Sequence, residues 1–129
     1  MSKIPIQTKL GWLRQAAQGY QHAHDCGIVH GDVGCNNVIL TKEGFLKIVD
    51  FEGCSIGGDP ADSCYEYFSY RPSIPRVDRR TDIFAFGCAI YEVMTARPPH
   101  QELEALNDRY QQVEQLYTTT APQTSRLYL

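Results

Sequence analysis

The sequence lacks several features that would place it in a specialised class of protein. Its longest apolar run, "DIFAFGCAIYEVM", is interrupted by Glu92 and is too short to cross a bilayer, so we expect no membrane partner. The 12 Lys and Arg residues against 15 Asp and Glu residues give a formal net charge of −3, with no charge runs. That balance argues against nucleic acid as a partner.

The cysteines form no recognisable disulfide or zinc framework. The chain has 5 of them, an odd number, and no two stand in a CxxC pair. A secreted fold held by disulfides is therefore disfavoured. We predict an intracellular, cytoplasmic protein in a reducing compartment.

Local patterns predict a mostly helical chain with one small sheet. Apolar residues recur at three- and four-residue intervals over 10–23, which predicts a helix with Thr8 as its cap and Gly27 at its end. The apolar runs at 38–40 and 45–49 flank the residues "TKEG" and predict a β-hairpin.

The second half of the chain is predicted to begin with a long loop. Residues 52–75 are rich in glycine, proline, serine and tyrosine, and a loop of this length is usually functional or disordered. Thr81 and Asp82 predict the cap of an apolar helix that runs to Thr95, and the apolar spacing over 103–116 predicts an amphipathic helix before a frayed tail. Six hydroxyl groups of the loop are expected at the surface: Ser55, Ser63, Tyr65, Tyr67, Ser69 and Tyr70.

Polar residues with catalytic potential lie at the ends of the predicted strands, in "HGDVGCNN" at 30–37 and "VDFEG" at 49–53. These segments resemble the C-terminal lobe of a protein kinase, whose catalytic loop is H-R-D-L-x-x-x-N and whose next strand ends in D-F-G. "TDIFAFGCAIYEVMTARPP" is similar to the family's central helix. The resemblance covers residues 10–100. It implies an α+β, mostly helical fold class, a kinase-like C-lobe with a small hairpin and a central buried helix.

The resemblance also implies an activity, the transfer of phosphate from Mg-ATP to a protein hydroxyl. Asp32 matches the family's catalytic base, and Asn37 and Asp50 match its two magnesium ligands, which also bind the nucleotide through the metal. Ile39 matches the apolar residue under the adenine. A protein substrate or a partner kinase is the implied partner. Three residues match positions with supporting roles: His30, Phe51 and Asp82.

Four positions depart from the family pattern. Gly31 replaces the arginine that receives the phosphate of an activated loop, so we expect no switch of that type. Gly34 replaces a lysine that contacts the transferred phosphate. Glu52 replaces the glycine of D-F-G, and Ser73 replaces the glutamate of A-P-E. The first three weaken the prediction of an active enzyme.

The family's glycine-rich loop, V-A-I-K lysine and glutamate-bearing helix have no counterpart in these 129 residues. We therefore expect the N-lobe to be absent and the isolated chain not to hold ATP productively. The predicted division is a kinase-like C-lobe core at 1–100, followed by an amphipathic helix and tail at 101–129.

Two other functions are compatible with the sequence. Gly31, Gly34 and Glu52 favour a catalytically inactive module that binds a true kinase or another protein. The segment "HAHDCGIVH" supports a third hypothesis, a zinc site, although His24 would point away from the helix face that holds the histidine and cysteine on either side of it. Its candidate ligands are His22, His24, Cys26 and His30.

Overall fold

Helices dominate residues 3–117, which are the residues that this computed structural model describes. Helix α1 covers Ile6–Asp25, α2 covers Arg79–Thr95, and a further helical stretch covers 109–117. With two small antiparallel sheets, this arrangement confirms the predicted α+β, mostly helical fold class. Within the described range, no helix is both long and apolar enough to cross a membrane.

The two sheets are both two-stranded. The predicted hairpin is confirmed: β2 (Val38–Leu40) pairs antiparallel with β3 (Leu46–Ile48). A second pair was not predicted, because β1 (Ile28–Val29) and β4 (Ser55–Ile56) are only two residues long and distant in sequence. This second pair fixes the start of the 52–75 segment beside the end of α1.

Helix α1 begins earlier than the sequence predicted. Its N-cap is Pro5, which has no side-chain cap, and the Thr8 amide donates to the Pro5 carbonyl at 3.0 Å. The prediction that Thr8 caps the helix is therefore wrong, because Thr8 already lies in the first turn. The end is as predicted, since Gly27 adopts a φ of 78° just past the helix.

Helix α2 is capped by Asp78, not by Thr81 or Asp82. The Thr81 amide donates to Asp78 Oδ1 at 2.9 Å, and the Asp78 amide donates to Thr81 Oγ1 at 2.8 Å. This reciprocal pair is a capping box, and it satisfies two amides that the helix start leaves without partners. The predicted cap is wrong by three or four residues, and Asp82 is left available for other contacts.

The main core lies between α1 and α2. The Tyr20 ring packs edge-on against Phe86 of α2 at 5.6 Å between centroids. Strand β3 approaches α1 closely at Gly19, where an added Cβ would lie 2.6 Å from Ile48 Cδ1. Ile83 on the opposite side of α2 is 62% exposed, so the helix is buried on one side only. The buried residues of this core are Ala16, Tyr20, Val33, Tyr65 and Ala85.

The predicted surface loop at 52–75 is largely packed. Besides β4 it contains a 3₁₀ turn at Tyr67–Ser69. Ser63 and Tyr70 are half-buried, and the expectation of surface hydroxyls is wrong for the four that are buried. The four are Ser55, Tyr65, Tyr67 and Ser69.

The region after α2 is only partly the predicted amphipathic helix. A 3₁₀ turn covers Gln101–Leu103, turns follow, and helical structure resumes at 109–117. One continuous helix over 103–116 is therefore wrong. The backbone carbonyl of Asp108 accepts from the Gln112 amide at 2.9 Å, and this bond starts the later helix. Val113 and Tyr117 pack with Tyr67 in a second small core. The predicted frayed tail at 118–129 lies outside the described residues.

Candidate active site

The loop at 30–37 follows β1, ends in a 3₁₀ turn at Cys35–Asn37 and leads into β2. The carboxylate of Asp82 anchors this loop. Asp82 is 1% exposed. Its Oδ2 accepts from the His30 amide at 2.8 Å, and its Oδ1 accepts from the Gly31 amide at 3.0 Å. His24 Nε2 and the Tyr65 hydroxyl donate to the same carboxylate at 2.8 and 2.7 Å. These bonds stabilise a buried charge and fix the loop on α2.

The imidazole of His30 links the loop to the end of β3. Its Nδ1 accepts from the Asp32 amide at 3.1 Å, so its Nε2 carries the proton and donates to the Val49 carbonyl at 2.9 Å. The ring contacts Phe51 edge-on at 4.8 Å between centroids and Tyr20 at 6.0 Å. His30 therefore orients the backbone of Asp32 and packs against the residue after Asp50.

Val49 joins the two segments that carry the predicted site residues. Its amide donates to the Asn37 carbonyl at 2.9 Å, while its carbonyl accepts from His30. The next residue, Asp50, is exposed and has a φ of 64°. A non-glycine residue in this left-handed region is strained, and such strain is concentrated at functional sites. Asp50 therefore directly follows the residue that is bonded to Asn37, and it has an unusual backbone conformation.

Asp32 is half-buried, and its Oδ1 has no hydrogen-bond partner among the described residues. Burial raises the pKa of the Asp32 carboxyl, the Asn37 side chain opposes that rise, and the negative charge of Asp50 adds to it. The Asn37 Nδ2 donates to the Asp32 carbonyl at 2.8 Å. The arrangement leaves a carboxylate oxygen ready to accept a proton or hydrogen bond.

The Ile39 side chain lies on the outer side of the hairpin, whereas Phe51 contacts His30 and is only partly open to solvent. Ile39 is 53% exposed and Phe51 is 38% exposed. Glu52, which replaces the family's glycine, is also exposed. The structure therefore brings His30, Asp32 and Asn37 together around Val49, and leaves the Ile39 side chain facing outwards.

Sequence reasoning missed two residues of this network. Tyr65 is 1% exposed and bonds both Asp82 and Thr81, yet no local pattern distinguishes it from the other tyrosines of its loop. The sequence predicts His24 only as a candidate zinc ligand, whereas in the structure its Nε2 donates to Asp82. No group of three or more His, Cys, Asp or Glu side chains within residues 3–117 could hold a metal ion, which leaves the zinc hypothesis without support.

Comparison with known proteins identifies the family of this chain. The model of the protein kinase domain matches residues 3–127. The chain belongs to the protein kinase family. It is 34% identical over 92 residues to a probable serine/threonine-protein kinase of Streptomyces coelicolor, covering 64% of this chain and 14% of that protein.

Two further relatives are also named as protein kinases. The chain is 30% identical over 108 residues to the probable serine/threonine-protein kinase PknB of Corynebacterium glutamicum, covering 76% of this chain and 17% of PknB. It is 32% identical over 103 residues to mitogen-activated protein kinase kinase kinase 17 of Arabidopsis thaliana, covering 75% of this chain and 27% of that kinase. The chain thus spans only a minor part of each relative's length.

Proposed function

We propose that this chain supplies the catalytic base and the magnesium-binding groups of a protein kinase, which transfers phosphate from Mg-ATP to a protein hydroxyl. The observation that carries the proposal is the double backbone bond of Val49, to Asn37 and to His30. It places the segment that bears Asp50 against the loop that bears Asp32. In the proposal residues 1–100 are the catalytic core, residues 101–129 are the C-terminal helical segment and tail that follow it, and the protein acts in the cytoplasm.

Asp32 would act as the base toward the acceptor hydroxyl. Its unpartnered Oδ1 is available to accept the hydroxyl proton, and burial raises the pKa of the carboxyl toward the range in which a base is effective. The hydrogen bond from its own amide to His30 and that from Asn37 to its carbonyl keep its backbone fixed. Positioning of this kind is most of what a kinase contributes to phosphoryl transfer.

The donor set suits Mg²⁺ and a nucleotide. Because the Asn37 Nδ2 is committed to the Asp32 carbonyl, the amide oxygen is the atom left to act as a ligand, and Asp50 adds an exposed carboxylate. Magnesium takes few protein oxygens and completes its shell with water and phosphate. When bound, the ion would neutralise charge on the transferred phosphate. Ile39 offers an exposed apolar side chain to the adenine.

Metal binding by the purified chain tests this proposal directly. Mn²⁺ titrated into labelled protein should broaden the NMR signals of Asn37 and Asp50 before those of the rest of the chain. Asp50→Asn should weaken this effect, whereas Asp59→Asn, an exposed aspartate of the following loop, should not. Broadening that is uniform, or equal in the two variants, would contradict the magnesium site.

Phosphate transfer tests the enzyme itself. The native polypeptide, isolated from its source cells with an antibody against residues 101–117, is incubated with radiolabelled Mg-ATP and a generic protein acceptor. We expect incorporation that Asp32→Asn abolishes. Metal binding without any incorporation would favour an inactive module.

A second candidate is a kinase-like module that binds another protein. It is favoured by the exposed apolar side chains of the hairpin, where Leu40 is 48% and Phe45 is 58% exposed. For such a module, Mg-ATP should leave the melting temperature unchanged. For the enzyme, saturating Mg-ATP should raise the melting temperature of the native polypeptide isolated from its source cells.

A further inference from the structure

Ser63 lies where three backbone segments meet. Its hydroxyl proton is shared between the Gly53 carbonyl at 3.1 Å and the His30 carbonyl at 3.3 Å. The amides of Asp62 and Ser63 donate to the same Gly53 carbonyl at 2.8 and 3.1 Å. One side chain therefore contacts the loop that carries Asp32 and the segment that follows Asp50.

The two glycines in this cluster leave Ser63 its space. Gly31 has a φ of 85°, and a Cβ added there would collide with Ser63 Oγ and approach Val77 Cγ1 to 3.3 Å. Gly53 has a φ of 84°, and an added Cβ would lie 3.1 Å from the Ser63 amide nitrogen. A larger residue does not fit at 31 while Ser63 Oγ keeps its place. At 53 it would be strained by the positive φ and would press on the Ser63 backbone. The absence of a side chain at 31 is thus a packing requirement of Ser63.

We propose that Ser63 is a positioning residue, which ties the catalytic loop to the segment that bears Asp50 without any phosphate or charge. The inference rests on the proposed function, since it assigns Ser63 a role in holding Asp32 and Asp50 in register. The contact needs only an unmodified hydroxyl and two carbonyl groups. The loop and the segment are therefore joined in the chain as it is synthesised.

Amide hydrogen exchange measures this contact. In Ser63→Ala, the backbone amides of residues 62 and 63 should exchange about five-fold faster than in the wild type. This is the change expected when one neutral hydrogen bond is lost. The Thr41 amide, which donates to the Phe45 carbonyl in the hairpin, is the internal reference and should not change. Equal exchange in the variant and the wild type would overturn the proposal.

A double-variant cycle between positions 31 and 63 tests the packing. Gly44 is a matched control for Gly31, because its φ of 87° is similar and an added Cβ would meet nothing within 4 Å. Gly31→Ala should lower the melting temperature more than Gly44→Ala does. In the Ser63→Ala background the Oγ is gone, so Gly31→Ala should then cost less than it does alone. Additive effects would contradict the assignment. If Gly31→Ala alone does not fold, Ser63→Ala should restore its folding.

The affinity for Mn²⁺ distinguishes a positioning role of Ser63 from a role in stabilising the fold alone. Ser63→Ala should weaken Mn²⁺ binding about five-fold, since the two ligand-bearing segments lose one neutral hydrogen bond between them. Gly44→Ala, which destabilises the hairpin turn, should leave the affinity unchanged. Unchanged affinity in Ser63→Ala would overturn the positioning role. If the wild type binds no Mn²⁺, the proposed function fails, and the exchange and cycle measurements alone decide whether Ser63 joins the segments.

Discussion

The hydroxyl of Tyr65 donates a 2.7 Å hydrogen bond to Oδ1 of Asp82 inside the core. Both residues are 1% exposed, and Asp82 accepts hydrogen bonds from the His30 and Gly31 amides of the loop at 30–37. Burial, followed by the charge of Asp82, raises the pKa of the Tyr65 hydroxyl, so it is protonated at neutral pH. The neutral tyrosine is therefore a permanent donor to the carboxylate that positions the site.

Tyr65→Phe should destabilise the chain by about 1.5–3 kcal/mol, because the buried Asp82 carboxylate loses a donor. The matched control is Tyr67→Phe, since the Tyr67 hydroxyl is also buried but has no hydrogen-bond partner among the described residues. Its removal should cost little. Urea unfolding of both variants measures the difference, and equal costs would show that the Tyr65 bond contributes nothing.

Two glycines of α1 predict unequal effects of the same substitution. Gly11→Ala meets nothing within 4 Å and should stabilise the chain by about 0.5–1 kcal/mol through helix propensity. Gly19→Ala adds the same propensity, but its Cβ would force Ile48 to shift. We expect Gly19→Ala to be less stable than Gly11→Ala in thermal unfolding. Identical gains would mean that β3 does not press against α1.

The sequence predicted those parts of the fold whose signals are local. The hairpin follows from apolar runs on either side of a turn, and the order of His30, Asp32 and Asn37 in one loop follows from a short motif. The capping box of α2 is also a local signal, because Asp78 and Thr81 stand three residues apart. The sequence prediction nevertheless places the cap at Thr81 and Asp82.

Apart from the supporting role that the resemblance implies for Asp82, the long-range contacts could not be predicted from the sequence. Ser63 contacts the His30 carbonyl 33 residues away, and Tyr65 contacts Asp82 17 residues away. Neither partner is marked by composition or by spacing, because a serine or tyrosine in a glycine-rich loop is as consistent with the surface as with the core. The same holds for His24, whose partner lies on a different helix. The site is thus a local motif supported by contacts that only the fold supplies.

The thiol of Cys35, inside the catalytic loop, is predicted to resist alkylation. Burial and the neighbouring Glu92 raise its pKa to about 12. At pH 8, four units lower, roughly one molecule in 10,000 carries the reactive thiolate. Iodoacetamide should therefore modify the exposed Cys26 well before Cys35, as peptide mass spectrometry can measure. Rapid modification of Cys35 in the folded chain would indicate that the loop opens from α2.

Asp32 and Asp78 predict opposite dependences of stability on pH. Burial raises the pKa of Asp32 in the folded chain, so the folded state binds the extra proton. The contribution of Asp32 to the free energy of unfolding therefore falls as pH rises from the ordinary Asp pKa, about 3.9, through its raised pKa in the folded chain. Asp32→Asn should raise the melting temperature at pH 7 by a few degrees, and this gain should vanish near pH 3.

Asp78 provides the comparison of opposite sign. Burial would raise its pKa, but hydrogen bonds from the Thr81 amide and from Arg80 prevail and lower it. Its contribution to stability is therefore present above the ordinary Asp pKa and is lost as pH falls. Asp78→Asn, which keeps a residue suited to an N-cap, should lower the melting temperature slightly at pH 7 and less at pH 3. Melting curves from pH 3 to pH 7 for both variants measure the two slopes. Slopes of the same sign would show that the Asp32 carboxyl is not held in the environment that makes it suitable as a base.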